Sequence, residues 1–208
     1  SSVIEPTLDV RRASSSMQNG LNEGRMRISH IQWWAFEASA GDVVKLSTRV
    51  SGFASRIDVR SPDLQVIESM GTNREEDRTQ AVFVARQTGR YLISVACVGH
   101  GGTGSYSVER EAVPAQTLDY TSSFTMTLNP GEVKVFKITM LPGPVKLLKL
   151  GGVSTVQITD FSGQPHGMTE FRIGTTRYYH ALFTEPTSYL VVLRGNGFTY
   201  HLSFVDPP

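Results

Sequence analysis

Residues 88–95 read Thr-Gly-Arg-Tyr-Leu-Ile-Ser-Val, and residues 186–193 read Pro-Thr-Ser-Tyr-Leu-Val-Val-Leu. In both stretches apolar residues occupy every second position from the tyrosine onward, which is the period of a strand with one face toward a core. The second stretch follows the first after 98 residues. A pattern that returns once at this spacing predicts two consecutive modules of ordinary domain size.

Three further pairs of short segments recur in the same order. They are 34–38 with 134–138, 57–59 with 156–158, and 106–108 with 200–202. Their offsets are 100, 99 and 94 residues, and the late drop fits a Gly-rich segment at 99–104 that is longer than its counterpart at 195–197. Pro114 stops the last strand of the first copy. The predicted domains are therefore 1–114 and 115–208.

Turn residues interrupt the alternating runs throughout the chain, and no segment holds a helical period over a dozen residues. Examples of the turns are Gly41-Asp42, Ser61-Pro62-Asp63, Asn129-Pro130-Gly131 and Ser162-Gly163. Frequent short strands of this kind are typical of sandwiches. The sequence predicts an all-β protein made of two consecutive antiparallel β-sandwich, jelly-roll-like domains.

Composition narrows the function classes. Twenty Lys and Arg against nineteen Asp and Glu give a net charge of +1, and no basic stripe is present, so a nucleic-acid partner is not expected. No apolar run reaches the length of a membrane span. The single cysteine, Cys97, excludes an internal disulfide, and its place in the alternation predicts a buried packing thiol.

The first module carries a recognisable series of segments. They are Trp34-Ala35-Phe36, Gly41, Ile57-Asp58-Val59, Ser61-Pro62, the strand at 89–95 and Gly104-Ser105-Tyr106-Ser107-Val108. This series resembles the bacterial pre-peptidase C-terminal domain family. The second module is a diverged match, with Lys134 in place of the first aromatic residue and Ser188 in place of the glycine before Tyr189. A generic jelly roll or a carbohydrate-binding module is the alternative interpretation.

The resemblance implies a small β-sandwich of the kind found beside secreted proteases and in other exported bacterial proteins. It therefore implies an extracellular or periplasmic location and a non-catalytic accessory role. The chain begins without an initiator methionine, and we expect a mature or trimmed fragment whose partners include neighbouring domains of a longer chain.

Calcium-dependent members of that family gather carboxylates near the third segment of the series. Here Arg56 occupies one of the corresponding positions, and an arginine cannot ligate a hard cation. The densest polar cluster, 73–78, contains Glu75, Glu76 and Asp77, but two interleaved arginines neutralise them. We expect a solvated loop there, no metal site and no cofactor, with calcium disfavoured.

Three aromatic residues are the candidate ligand contacts. Trp33 and Trp34 are neighbours in a predicted strand, so they point to opposite faces, and the family pattern places Trp34 inside. Trp33 then lies outside, where it could stack on a sugar ring or contact a protein. Cover by residues 1–20 is the competing and favoured interpretation. Tyr178 and Tyr179 are candidates in the second module, although strand tyrosines more often pack than bind.

The sequence contains no Gly-x-Ser-x-Gly elbow and no pair of histidines at metal-ligating spacing. We expect no enzyme activity. The predicted function is a non-catalytic binding module pair that contacts a protein or polysaccharide partner. A carbohydrate-binding module with exposed aromatic residues is the alternative, and a hydrolase with a site assembled from distant strands is the remote one.

Overall fold

The structure is a computed structural model, which describes residues 14–27, 30–72, 76–98, 103–119, 122–141, 147–151, 155–164, 169–180, 186–197 and 199–205. Every regular element in these ranges is a β-strand, so the predicted all-β class is confirmed. The described ranges hold no apolar helix of membrane-spanning length. The chain divides into two compact units, unit 1 (Ser1–Ala112) and unit 2 (Val113–Pro208).

Unit 1 is a sandwich of a five-stranded and a four-stranded sheet. Its strands are β1 (Ser15–Ser16), β2 (Gly20–Met26), β3 (Ile31–Ala38), β4 (Val43–Ser51), β5 (Ser55–Arg60), β6 (Val66–Thr72), β7 (Glu76–Val84), β8 (Gly89–Cys97) and β9 (Gly104–Val113). The sheet orders are β1-β3-β8-β5-β6 and β2-β9-β4-β7. β1 runs parallel to β3, while β3, β8, β5 and β6 pair antiparallel.

The alternation in β8 builds the core of unit 1. Tyr91, Ile93 and Val95 are fully buried between the two sheets, and the Tyr91 ring stacks on Phe36 with ring centroids 5.6 Å apart. Cys97, the next residue on this face, is half-buried and packs against the same core. Full burial of side chains of this size contributes about 1.5–3 kcal/mol each, which is why the alternating run becomes a central strand.

Unit 2 is also a sandwich of four and five strands. Its strands are β10 (Ala115–Leu118), β11 (Ser123–Thr127), β12 (Val133–Met140), β13 (Leu147–Gly151), β14 (Thr155–Thr159), β15 (Thr169–Ile173), β16 (Thr176–His180), β17 (Thr187–Arg194) and β18 (Thr199–Val205). The sheet orders are β10-β12-β17-β14 and β11-β18-β13-β16-β15. Tyr189, Val191 and Leu193 of β17 are fully buried in the core, together with Phe136 and Tyr200.

Eight strands of unit 1 have counterparts at the same sheet positions in unit 2, and one does not. The order β1-β3-β8-β5 corresponds to β10-β12-β17-β14, and β2-β9-β4-β7 corresponds to β11-β18-β13-β16. The exception is the strand that follows the turn after β5 in unit 1 and after β14 in unit 2, namely β6 and β15. β6 stays beside β5, whereas β15 joins the opposite sheet beside β16.

The turn after β5 and the turn after β14 nevertheless have the same geometry. In the first, the Leu64 amide donates to the carbonyl of Ser61 at 2.8 Å, and in the second, the Gly163 amide donates to the carbonyl of Asp160 at 3.0 Å. Leu64 and Gly163 both adopt the left-handed backbone conformation, with φ of 69° and 71°. Glycine occupies this conformation without the strain that a leucine bears.

Candidate binding surface

Trp34 and Trp33 of β3 lie on opposite faces of the five-stranded sheet of unit 1. Trp34 packs against the core, and its indole Nε1 donates to the hydroxyl of Tyr106 at 2.8 Å. The Tyr106 hydroxyl donates in turn to the side chain of Gln32. Neighbouring strand residues alternate between faces, so Trp33 lies on the outer face, where it is half-buried.

A transverse row of side chains crosses the outer face from Trp33. The strand register pairs Trp33 with Ser94, Ser94 with Asp58, and Asp58 with Ser69. Adjacent strands lie about 4.8 Å apart, so the row places the backbone of Asp58 roughly 10 Å from that of Trp33. Four residues from distant parts of the chain thus form one line on the sheet.

Asp58 is the polar centre of this row. Both of its carboxylate oxygens accept hydrogen bonds from Nε of Arg56, at 3.0 and 3.1 Å, and the Ser69 hydroxyl donates to the same carboxylate. The Asp58 side chain is only 12% exposed, whereas that of Arg56 is 61% exposed. The carboxylate therefore holds the guanidinium in one orientation while leaving most of it open to a ligand.

The outer face is open on one side and covered on the other. Ile31, one row beyond Trp33 on the open side, is 55% exposed. In the row on the other side of Trp33, Ala35 and Leu92 are 2% and 1% exposed. We define the outer-face patch by the following residues: Ile31, Trp33, Arg56, Asp58, Ser69 and Ser94.

The two candidate tyrosines of unit 2 point in opposite directions. Tyr179 lies in the core, 7% exposed, where burial raises the pKa of its hydroxyl. It therefore offers no open ring face to a ligand. Tyr178 lies on the other face of the same strand and is half-buried, with its backbone opposite Lys149 of β13.

A charged group lies at the strand edge on the Tyr179 side. Nε of Arg172 donates to Oε1 of Glu170 at 2.8 Å, and the guanidinium of Arg177 lies 3.9 Å from the same oxygen. The hydrogen bond from Arg172 is the main reason why the pKa of Glu170 is lowered. This group ties β15 to β16 electrostatically.

The carboxylate cluster considered for calcium falls mainly beyond the described structure. Glu75 lies outside the described residues, and only the backbones of Glu76 and Asp77 are described, opposite Ser51 and Val50 in the β4–β7 pair. Among the described side chains, no three His, Cys, Asp or Glu residues gather as metal ligands would.

The sequence pointed to Trp33 but not to its polar neighbours. Asp58 and Arg56 are separated by one apolar residue, Ile57, so the strand pattern implies that both side chains lie on the face away from the core. The sequence alone therefore indicates that Arg56 and Asp58 share the outer face. The sequence alone does not indicate that Ser69 and Ser94 lie beside Asp58, because their positions depend on how three strands pair.

Comparison with known proteins gives structural matches only. No protein-family model and no curated protein matches the chain. The pre-peptidase C-terminal domain of collagenase from Bacillus anthracis is similar at 12% identity and a TM-score of 0.39, over 47% of this chain and 94% of that one. A periplasmic inhibitor of g-type lysozyme from Aeromonas hydrophila, PliG, is similar at 18% identity and a TM-score of 0.36, over 48% and 96%.

The extracellular region of zebrafish Gpr126/Adgrg6 is similar over 92% of this chain and 36% of that one, at 9% identity and a TM-score of 0.33. The first of these structures is a domain of the kind that the sequence motifs of unit 1 resemble. At these identities the matches transfer no site residue to this chain.

Proposed function

We propose that the chain is a pair of non-catalytic accessory modules, 1–114 and 115–208, of an exported bacterial protein. The modules act outside the cytoplasm, in the periplasm or beyond the cell, and bind a protein or matrix partner through the outer-face patch of unit 1. The sequence motifs of the first module support the family and the location. One observation carries the binding role: the exposed guanidinium of Arg56 is held by a hydrogen bond to Asp58. Asp58 lies in the same transverse row of side chains as Trp33.

The residue types of the patch suit protein recognition. Trp and Arg are enriched among the residues that dominate binding energy at protein interfaces. Nε of Arg56 donates a bifurcated hydrogen bond to the two carboxylate oxygens of Asp58 before any partner arrives, so less side-chain entropy is lost on binding. Ile31 and Val66 add exposed apolar surface at the margins of the same face.

A carbohydrate ligand is the second candidate function. The half-buried Trp33 ring lies in one row with the Ser94 hydroxyl and the Asp58 carboxylate. An aromatic ring that stacks on a sugar, with hydrogen-bonding groups roughly 10 Å away, fits a saccharide of one or two rings. In unit 2, Tyr178 is the proposed contact.

The test compares wild type with Trp33→Ala and Arg56→Ala on a glycan array and on immobilised purified matrix proteins. We expect each substitution to weaken the binding found for wild type by at least about tenfold, the effect of losing a contact of roughly 1.4 kcal/mol. Leu21→Ala is the matched control, because Leu21 is a 60% exposed apolar residue on β2, in the other sheet.

The melting temperature distinguishes binding from packing. Unchanged melting with lost binding supports the patch as a contact surface. If Trp33→Ala lowers the melting temperature by several degrees and leaves binding intact, Trp33 is a packing residue and the proposal fails for it. Binding to sugars alone, lost in both variants, would select the carbohydrate function.

A further inference from the structure

The four-stranded sheet of unit 2 ends at β14, at the position where the corresponding sheet of unit 1 continues. In unit 1, β5 pairs with β8 on one side and with β6 on the other. In unit 2, β14 pairs with β17 on one side, and no strand in the described part of the chain pairs with its other side. The backbone groups on that side of β14 are therefore available to a further strand.

Burial shows what the missing strand would cover. Ile57 and Val59 of β5 are 0% exposed, and Met70 of β6, which pairs with Ile57, is buried in the same core. Val156 and Ile158 occupy the corresponding positions in β14 and pack against the core of unit 2, but they are only half-buried. Within the described residues, that side of β14 therefore has no partner strand, and the two apolar side chains beside it remain partly exposed.

The sequence of β14 is suited to pairing with itself. It reads Thr155-Val156-Gln157-Ile158-Thr159, with no charged residue and no proline to discourage a second chain. Its residue types are symmetric about Gln157, with a β-branched aliphatic residue on each side and a threonine at each end. β15, at the edge of the other sheet, carries Glu170 and Arg172 instead.

We propose that β14 pairs antiparallel with β14 of a second copy of the chain, about a twofold axis at Gln157. Val156 would then lie opposite Ile158 of the partner subunit, and Gln157 opposite Gln157 of the partner subunit. The two four-stranded sheets would form one continuous sheet, with both apolar sides facing the same way. This pairing uses the open side in both copies, so association ends at the dimer.

The symmetry of the segment selects this occupant over an unrelated peptide. A peptide from another protein would require an extended backbone and an alternating pattern, but not a palindromic β14. Because five residues from each copy bury less than a stable obligate interface, we expect a weak dimer with a Kd on the order of 100 μM. The inference is independent of the outer-face patch, which lies on unit 1.

The experiment is sedimentation velocity from about 5 μM to about 1 mM, a range that brackets the expected Kd. Wild type should shift from monomer to dimer across the range. Gln157→Glu and Gln157→Lys should each stay monomeric, since two like charges would face each other at the axis. An equimolar mixture of the two variants should dimerise again, because the charges then become opposite.

Ser123→Glu is the matched control, because it adds the same charge to an exposed position on β11, another edge strand of unit 2. It should dimerise as wild type does. Circular dichroism establishes that each variant is folded. A wild type that remains monomeric at the highest concentration overturns the proposal. Dimers of Gln157→Glu alone, or a mixture that stays monomeric, would equally overturn it.

Discussion

Gly24→Ala should destabilise unit 1 far more than a glycine substitution in a strand normally does. Gly24 of β2 lies directly opposite Tyr106 of β9, and the tyrosine ring crosses over the glycine. A methyl group at residue 24 would lie 2.6 Å from Cε1 of Tyr106 and still closer to Cζ. Carbon atoms pack at about 3.5–4.0 Å, so the ring would have to move by about 1 Å.

The ring is not free to make that movement. Its hydroxyl accepts a hydrogen bond from Trp34 at 2.8 Å and donates one to Gln32, and burial raises its pKa. Overpacking costs about 1–3 kcal/mol, and two weakened hydrogen bonds cost about 0.5–1.5 kcal/mol each. Alanine also lowers the conformational entropy of the unfolded chain, which stabilises the folded state by about 0.4–1 kcal/mol. We expect a net loss of about 3 kcal/mol.

Tryptophan fluorescence during urea unfolding is the appropriate assay. The protein has two tryptophans, Trp33 and Trp34, and both belong to β3 of unit 1. The signal therefore reports the unfolding of unit 1. Gly71→Ala is the control, because the nearest atom to a Cβ at Gly71 is a backbone oxygen 3.5 Å away, an ordinary contact. It should change the free energy of unfolding by less than about 1 kcal/mol.

A double-mutant cycle isolates the clash from other effects. Tyr106→Leu removes the ring atoms that a methyl group at residue 24 would meet. In that background, Gly24→Ala should cost less than about 1 kcal/mol, which gives a coupling energy of about 2 kcal/mol. If Gly24→Ala costs no more than Gly71→Ala, or costs the same in both backgrounds, the ring is not what excludes a side chain and the reasoning is wrong.

Three further predictions concern buried and charged groups. Thr159 is 0% exposed and its hydroxyl has no hydrogen-bond partner in the described chain, so Thr159→Val should raise the free energy of unfolding by about 1 kcal/mol. Thr48→Val should lower it by a similar amount, because the Thr48 hydroxyl lies 2.6 Å from that of Thr79 and forms a hydrogen bond with it. Chemical denaturation measures both changes, and a shift of either variant in the opposite direction would contradict the prediction for that residue. Arg172 lowers the pKa of Glu170 from its ordinary value of 4.5, so this carboxylate stabilises unit 2 above that pH and the contribution is lost as pH falls through the native pKa. The loss should stay below about 1 kcal/mol at this exposed position. In Glu170→Gln, the urea midpoint should therefore fall less with decreasing pH in this range than it does in wild type.

Local pattern was sufficient for the elements and for the direction of many side chains. The alternation at 91–95 predicted both β8 and its buried face, and adjacent Trp33 and Trp34 had to point to opposite faces. Tyr178 and Tyr179 show the limit of the same reasoning. Their strand is short and both residues are aromatic, so the core position of Tyr179 was set by pairing with Leu148 of β13 and could not be read from β16 alone.

Turn chemistry explains the one strand that occupies different sheets in the two units. Ile173 and Thr176 pair directly across the two residues Gly174 and Thr175, with φ of 60° at Gly174. A two-residue turn that begins with glycine forms a hairpin, and a hairpin keeps its two strands in one sheet. β15 must therefore accompany β16, which leaves β14 without the neighbour that β5 has in β6. The glycine before Thr175 was a hairpin signal in the sequence, and it explains why, in the part of unit 2 that the structure describes, β14 has a partner strand on one side only.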